Sequence, residues 1–165
     1  MELTIANEKY DTQYETLYQA LRGLIGDETD ALANLANSAA LLFHSMAKIN
    51  WAGFYLYKEE QLILGPFQGK PACIRIAMGK GVCGTAAQTG ESVVVQDVHR
   101  FPGHIACDEA SASEIVVPII KGDKLIGVLD VDSPVKARFT EEDRRGLRGY
   151  ADILCARIRW EDLLR

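Results

Sequence analysis

The 165 residues, 48% apolar and 25% charged, have the composition of one soluble globular domain with enough chain to bury a core. Eighteen basic and 23 acidic residues give a net charge of −5, and no Lys/Arg run offers a nucleic acid or an anionic membrane a footprint. No apolar stretch reaches the roughly 18 residues of a membrane span, and Met1-Glu2-Leu3-Thr4 lacks the basic start of a signal peptide, so the cytoplasm is the expected compartment.

Two helices open the chain. Leu17, Leu21, Leu24 and Ile25 recur at helical spacing, which predicts a helix over 9–26 that weakens at Gly23 and Gly26. Thr29 or Asp30 caps a second helix over 29–47, with an apolar stripe through Leu32, Leu35, Ala39, Leu42, Phe43 and Met46. The pattern then changes to strands: Trp51–Tyr57, a return beginning at Gln61–Leu64, an alternating run from Cys73 to Ala77, and Ser92–Gln96. Gly79 to Ala87 reads as a glycine-rich turn entering a short helix. Asp97 to Ala112 is a long irregular loop, a length often kept for function. Ile115–Ile120 and Lys124–Asp132 flank a turn at Lys121-Gly122-Asp123. A last helix spans 140–164, with Thr140 as N-cap and Asp143 at the capping-box position. Helices, about six strands, then a helix argue for an α+β fold. Its antiparallel sheet would carry the terminal helices on one face, and the 65–112 region would close a small pocket on the other.

Four cysteines need explanation. A reducing compartment disfavours a disulfide framework, and no Cys-x-x-Cys or zinc spacing is present. Cys83, at a helix start, would have its thiolate favoured by exposed N–H groups, or else simply fill a turn beside the core. Cys107, in the long loop, is placed for reactivity, although Asp108 and Glu109 oppose a thiolate; His104 helps if the loop folds back. Cys73 alternates at a strand start and reads as a buried thiol, and Cys155 sits on the apolar flank of the last helix.

Asp130 and Asp132, two apart in an otherwise apolar strand, share a face and should raise at least one carboxyl pKa. Such a carboxyl can donate a proton, and an ionised partner can hold an ammonium. Alternatively, the pair is a solvated strand end that caps the turn before Pro134. Glu114 joins them only in the right hairpin register. A two-residue loop puts Glu114 across from Val131, on the wrong face, whereas a three-residue loop or one bulge puts it across from Asp130. The turn chemistry slightly favours the first. Trp51 and Tyr55 share a strand face with Gly53, as core or as an aromatic wall suited to a cation or an S-methyl group. His44 and His99 have no evident partner.

Six segments together, Asn50–Tyr55, Gly65–Lys70, Gly81–Ala86, Gly103–Asp108, Ser113–Ile115 and Gly127–Ser133, resemble the free methionine-(R)-sulfoxide reductases, single-domain enzymes of the GAF fold. The resemblance runs from about Leu32 to Leu154. It is most specific at Cys73, Cys83, Cys107, Glu114, Asp130 and Asp132, where the pattern is matched throughout. It implies one GAF domain over 1–165 that reduces free L-methionine (R)-S-oxide. By that resemblance Cys107 is the nucleophile, Cys73 resolves its sulfenic acid as a disulfide, and Cys83 is a second or alternative disulfide partner. Glu114, Asp130 and Asp132 bind substrate, Trp51 and Tyr55 wall the pocket, and thioredoxin reopens the bridge. No metal or organic cofactor is implied, and a homodimer through the terminal helices is typical of GAF domains. The competing reading is a GAF sensor of a small molecule or of redox state, without turnover.

Overall fold

The computed structural model describes residues 10–104 and 108–164. Six strands form one antiparallel sheet in the order β3-β2-β1-β6-β5-β4. They are β1 (Trp51–Lys58), β2 (Gln61–Gly69), β3 (Arg75–Ala77), β4 (Val93–Val95), β5 (Ser113–Lys121) and β6 (Lys124–Ser133). Helices α1 (Tyr14–Ile25), α2 (Ala31–Ser45) and α4 (Glu141–Arg157) lie on one face, and α3 (Gly81–Thr89) lies on the other. Among the described residues, no helix is long and apolar enough to cross a membrane.

Alternation within the strands builds two cores from one sheet. Ala52, Phe54 and Leu56 of β1, Ile115, Val117 and Ile119 of β5, and Leu129 and Val131 of β6 pack under the three large helices. Trp51, Tyr55, Val116 and Val128 point the other way, toward Leu62, Ile76, Val82 and Ala86. The second core is smaller, and the site lies within it.

The helix ends follow local chemistry. Asp30 caps α2, its side chain accepting from Ala33 N–H at 2.8 Å. Thr140 and Asp143 form a reciprocal capping box on α4. The helices differ from the sequence reading in three respects. The first helix begins at Tyr14, because Thr12 is already buried and Tyr10 lies against the Arg138 guanidinium at 5.3 Å, which holds the preceding chain out of the helix. In α2 the buried stripe runs through Ala31, Leu35, Ser38, Ala39 and Leu42, leaving Leu32 exposed a third of a turn away. The last helix stops at Arg157 rather than 164: Ile158 is extended, so that it and Trp160 both reach the core, and the Trp160 indole N–H donates to the Cys155 carbonyl at 3.4 Å.

Strand β2 runs on to Gly69, past the expected end of that run. A bulge opposite Gly53–Tyr55 takes up Gly65 and Pro66, where a residue without an N–H breaks no ladder bond. The 97–112 loop is pinched at its base, where Val98 N–H donates to the Ala112 carbonyl at 2.9 Å. A 3-10 turn, Val98–Arg100, buries Val98 beneath the second core.

Candidate functional site

The pairing registers lay out the site as two rows across the sheet. Trp51 faces Asp132, and Asp132 faces Glu114. One step along, Gly53 faces Asp130, and Asp130 faces Val116. All three carboxylate residues therefore leave the sheet on the same side. Glu114 sits opposite Asp132, neither of the partners considered from sequence. The two-residue turn is present, with Lys121 paired to Lys124, but an irregularity between Ile119 and Ile120 adds one residue on β6. The bulge reverses the face that the turn alone would dictate.

Trp51, Tyr55, Cys83, Glu114, Asp130 and Asp132 line one pocket between the sheet, the start of α3 and the loops. Exposed Lys70 and Lys80 also reach it, as do His104 and Asp108. Gly53 makes the aromatic wall possible. A Cβ there would fall 2.3 Å from the Cβ of Phe67, so its absence lets Phe67 cross the strand and stack on Trp51 at 5.1 Å. Tyr55 also stacks on Trp51, at 6.0 Å. The Trp51 indole N–H is fixed by the Lys70 carbonyl at 3.1 Å, and the Tyr55 hydroxyl donates to the Cys73 carbonyl at 3.0 Å.

Burial pushes Glu114, Asp130 and Asp132 well above the usual carboxylate range. Mutual repulsion adds to it: Asp130 acts on Glu114, Asp132 on Asp130, and Glu114 on Asp132. Asp130 Oδ1 is buried with no hydrogen-bond partner. A carboxyl held protonated near neutrality can donate to a reacting oxygen, and an ionised neighbour can receive an ammonium. His104 Nε2 lies 3.9 Å from Glu114 Oε2, but burial, then His99, holds its pKa below the usual value.

The thiols divide. Cys83 is free and buried, its Sγ donating to Glu114 Oε1 at 3.9 Å. The sequence left two readings open, a thiolate favoured by the helix N-terminus or a small side chain filling a turn beside the core. Against the first, burial and then Asp130 and Glu114 raise this thiol well above its ordinary pKa. A helix dipole contributes up to about 2 kcal/mol, too little against desolvation beside two carboxyls. Cys73 precedes β3 rather than opening it, and it is disulfide-bonded. Cys155 is free, on the far face of the sheet, with its Sγ 3.4 Å from the Ile120 carbonyl oxygen. Cys107 lies outside the described residues.

The sequence pattern of the GAF domain matches residues 19–158. The free methionine-R-sulfoxide reductase of Escherichia coli is 54% identical over 135 residues, covering 82% of each chain. The protein of that name in Saccharomyces cerevisiae is 46% identical over 148 residues, 85% of this chain and 82% of its own. The structure of fRMsr of Staphylococcus aureus in complex with substrate superposes with a TM-score of 0.85 at 50% identity, over 89% of this chain and 96% of that one. The chain belongs to the free methionine-R-sulfoxide reductases of the GAF family.

Within this GAF fold, the sequence reading passed over two contributors. Phe67 completes the aromatic wall, but its place opposite Gly53 depends on the β2 bulge. Asn50 ties the long loop to the sheet: its Nδ2 donates to Asp108 Oδ2 and Ser111 Oγ, each at 3.3 Å, and its N–H donates to the Asp132 carbonyl at 2.9 Å. The Asn-Trp pair at the head of β1 was the available signal.

Proposed function

We propose that this protein reduces free L-methionine (R)-S-oxide to L-methionine, with its own thiols as the immediate reductant. The observation that carries the reading is the unpartnered Asp130 oxygen in a pocket shared with Glu114, Asp132 and the Trp51–Phe67 wall. A buried acceptor of this kind is stable only if a ligand brings it a donor, preferably a charged one. The α-ammonium of a free amino acid meets that need, and peptide-bound methionine has none. The aromatic wall suits the S-methyl group.

In the proposed cycle the Cys107 thiolate attacks the sulfoxide sulfur, a pocket carboxyl protonates the oxygen, and methionine departs as Cys107 becomes a sulfenic acid. The Cys73 thiol displaces the hydroxyl, forming the Cys73–Cys107 bridge and releasing water. A dithiol such as thioredoxin reduces the bridge by exchange and is itself oxidised. The disulfide at Cys73 supports its assignment to the bridge, and the free state of Cys83 fits a reserve resolving thiol. We place the cycle in the cytoplasm, where such reductants keep thiols reduced.

The test supplies the purified protein with thioredoxin, its reductase and NADPH, and with one epimer of free methionine sulfoxide at a time. The reading expects NADPH consumption with the R epimer alone. Binding of the R epimer without consumption instead identifies a sensor, and consumption with the S epimer overturns the stereochemistry.

A further inference from the structure

Three potential metal ligands from separate elements meet on the pocket floor. Cys83 comes from the first turn of α3, Glu114 from β5 and Asp130 from β6. One ligand atom of each lies within 4.8 Å of the other two, and all three residues are buried. Their bonding is incomplete: Cys83 is a free thiol whose contact with Glu114 is 3.9 Å long, and Asp130 Oδ1 has no partner. A cation of two charges would relieve both defects, and the thiol decides which cation. Magnesium and calcium take oxygen ligands, whereas thiolate beside carboxylate suits zinc. Three protein ligands with room for a water make an open tetrahedral set.

We propose that Cys83, Glu114 and Asp130 bind one Zn2+ ion, which excludes the amino-acid substrate. The exclusion rests on the function proposed above, since ion and ammonium claim the same Asp130 carboxylate. The binding does not. Binding is a ligand exchange without redox: the thiol and any protonated carboxyl in the set release protons to solvent as their bonds to zinc form.

The experiment titrates Zn2+ by calorimetry into the full chain carrying the Cys73 disulfide, so that Cys73 offers no ligand, in a Cys155→Ser background. The inference expects one ion per chain, affinity lowered by Cys83→Ser or Asp130→Asn at least as much as the roughly 10–100-fold that loss of an outer-shell partner costs, and a weaker apparent affinity when methionine sulfoxide is present. Cd2+ as a probe should give a thiolate charge-transfer band in the ultraviolet that Cys83→Ser removes, with circular dichroism confirming that the variant is folded. No binding, or binding and a Cd2+ band unchanged by Cys83→Ser, overturns the site. Zn2+ binding that the sulfoxide does not weaken overturns the exclusion. Turnover of the R epimer without a zinc site marks a failure of this inference alone.

Discussion

Glu114 and Asp132 stand directly opposite one another on β5 and β6, and a single extra residue puts them there. Counted back from the Lys121–Lys124 pair, an unbroken ladder would bring Glu114 to Val131 and turn its carboxyl into the helix-covered core. The irregularity between Ile119 and Ile120 shifts every later pair by one. The bulge therefore belongs to the site, since it brings Glu114 to the same pocket as Asp130 and Asp132.

That assembly should be visible in stability. Burial, then Asp132, raises the Asp130 pKa in the folded state. The folded chain thus holds this proton more tightly than the unfolded chain. The stabilisation is fully present below the ordinary aspartate range, about pH 4, and is lost as pH rises toward the raised folded value. Asp130→Asn cannot ionise, so its melting temperature should gain on the parent's as pH increases through that window. Differential scanning fluorimetry of both proteins from acid to alkaline pH is the measurement. Parallel curves would show that Asp130 titrates normally.

The aromatic wall depends on Gly53. A methyl group there meets the Phe67 Cβ at 2.3 Å and the Pro66 carbonyl oxygen at 2.9 Å, and neither neighbour is a flexible chain end. Gly53→Ala should destabilise by about 1–3 kcal/mol, roughly 2–4 °C of melting temperature per kcal/mol for a chain of this size. It should also raise KM for the sulfoxide, because Phe67 must leave Trp51. An unchanged melting temperature would mean that β2 yields without loss.

Much of this architecture was legible in the sequence. Period-two runs fixed β1 and β6 and put Asp130 and Asp132 on one face, and the Thr140–Asp143 box marked the start of α4. What escaped was set by longer-range packing. The β5–β6 bulge decided the face of Glu114, and no turn residue announces it. The end of α4 was decided by the burial of Trp160. The sign of the Cys83 shift was decided first by burial in the assembled pocket and then by two carboxyls that reach it from strands 31 and 47 residues further along the chain.

Away from the pocket, Asp143 holds the α4 start to α1. Its Oδ1 accepts from the Tyr14 hydroxyl at 2.6 Å, and its Oδ2 accepts from Thr140 N–H at 2.9 Å and Arg138 Nη1 at 3.2 Å. The Arg138 and Asp143 side chains are only 1% and 6% exposed, so removing the charge strands a buried guanidinium. Asp143→Asn should lose about 3–5 kcal/mol, against about 0.5–2 kcal/mol for Thr140→Ala. Urea unfolding compares the two, and equal losses would reduce Asp143 to a helix cap.

The thiol assignments make a stoichiometric prediction. Cys107→Ser should have no turnover, because a serine hydroxyl cannot replace the attacking thiolate. Cys73→Ser keeps the nucleophile but loses the proposed resolving thiol. If Cys83 can substitute, this variant continues to cycle slowly, held back by a thiol that burial and Asp130 keep protonated. Cys73→Ser combined with Cys83→Ser should then release a single methionine per chain and stop with Cys107 as a sulfenic acid, detectable by a sulfenic-acid trapping reagent. Quenched-flow measurement of methionine per chain separates these cases. Normal cycling by the double variant would show that neither thiol resolves the intermediate and that the external reductant attacks Cys107 directly.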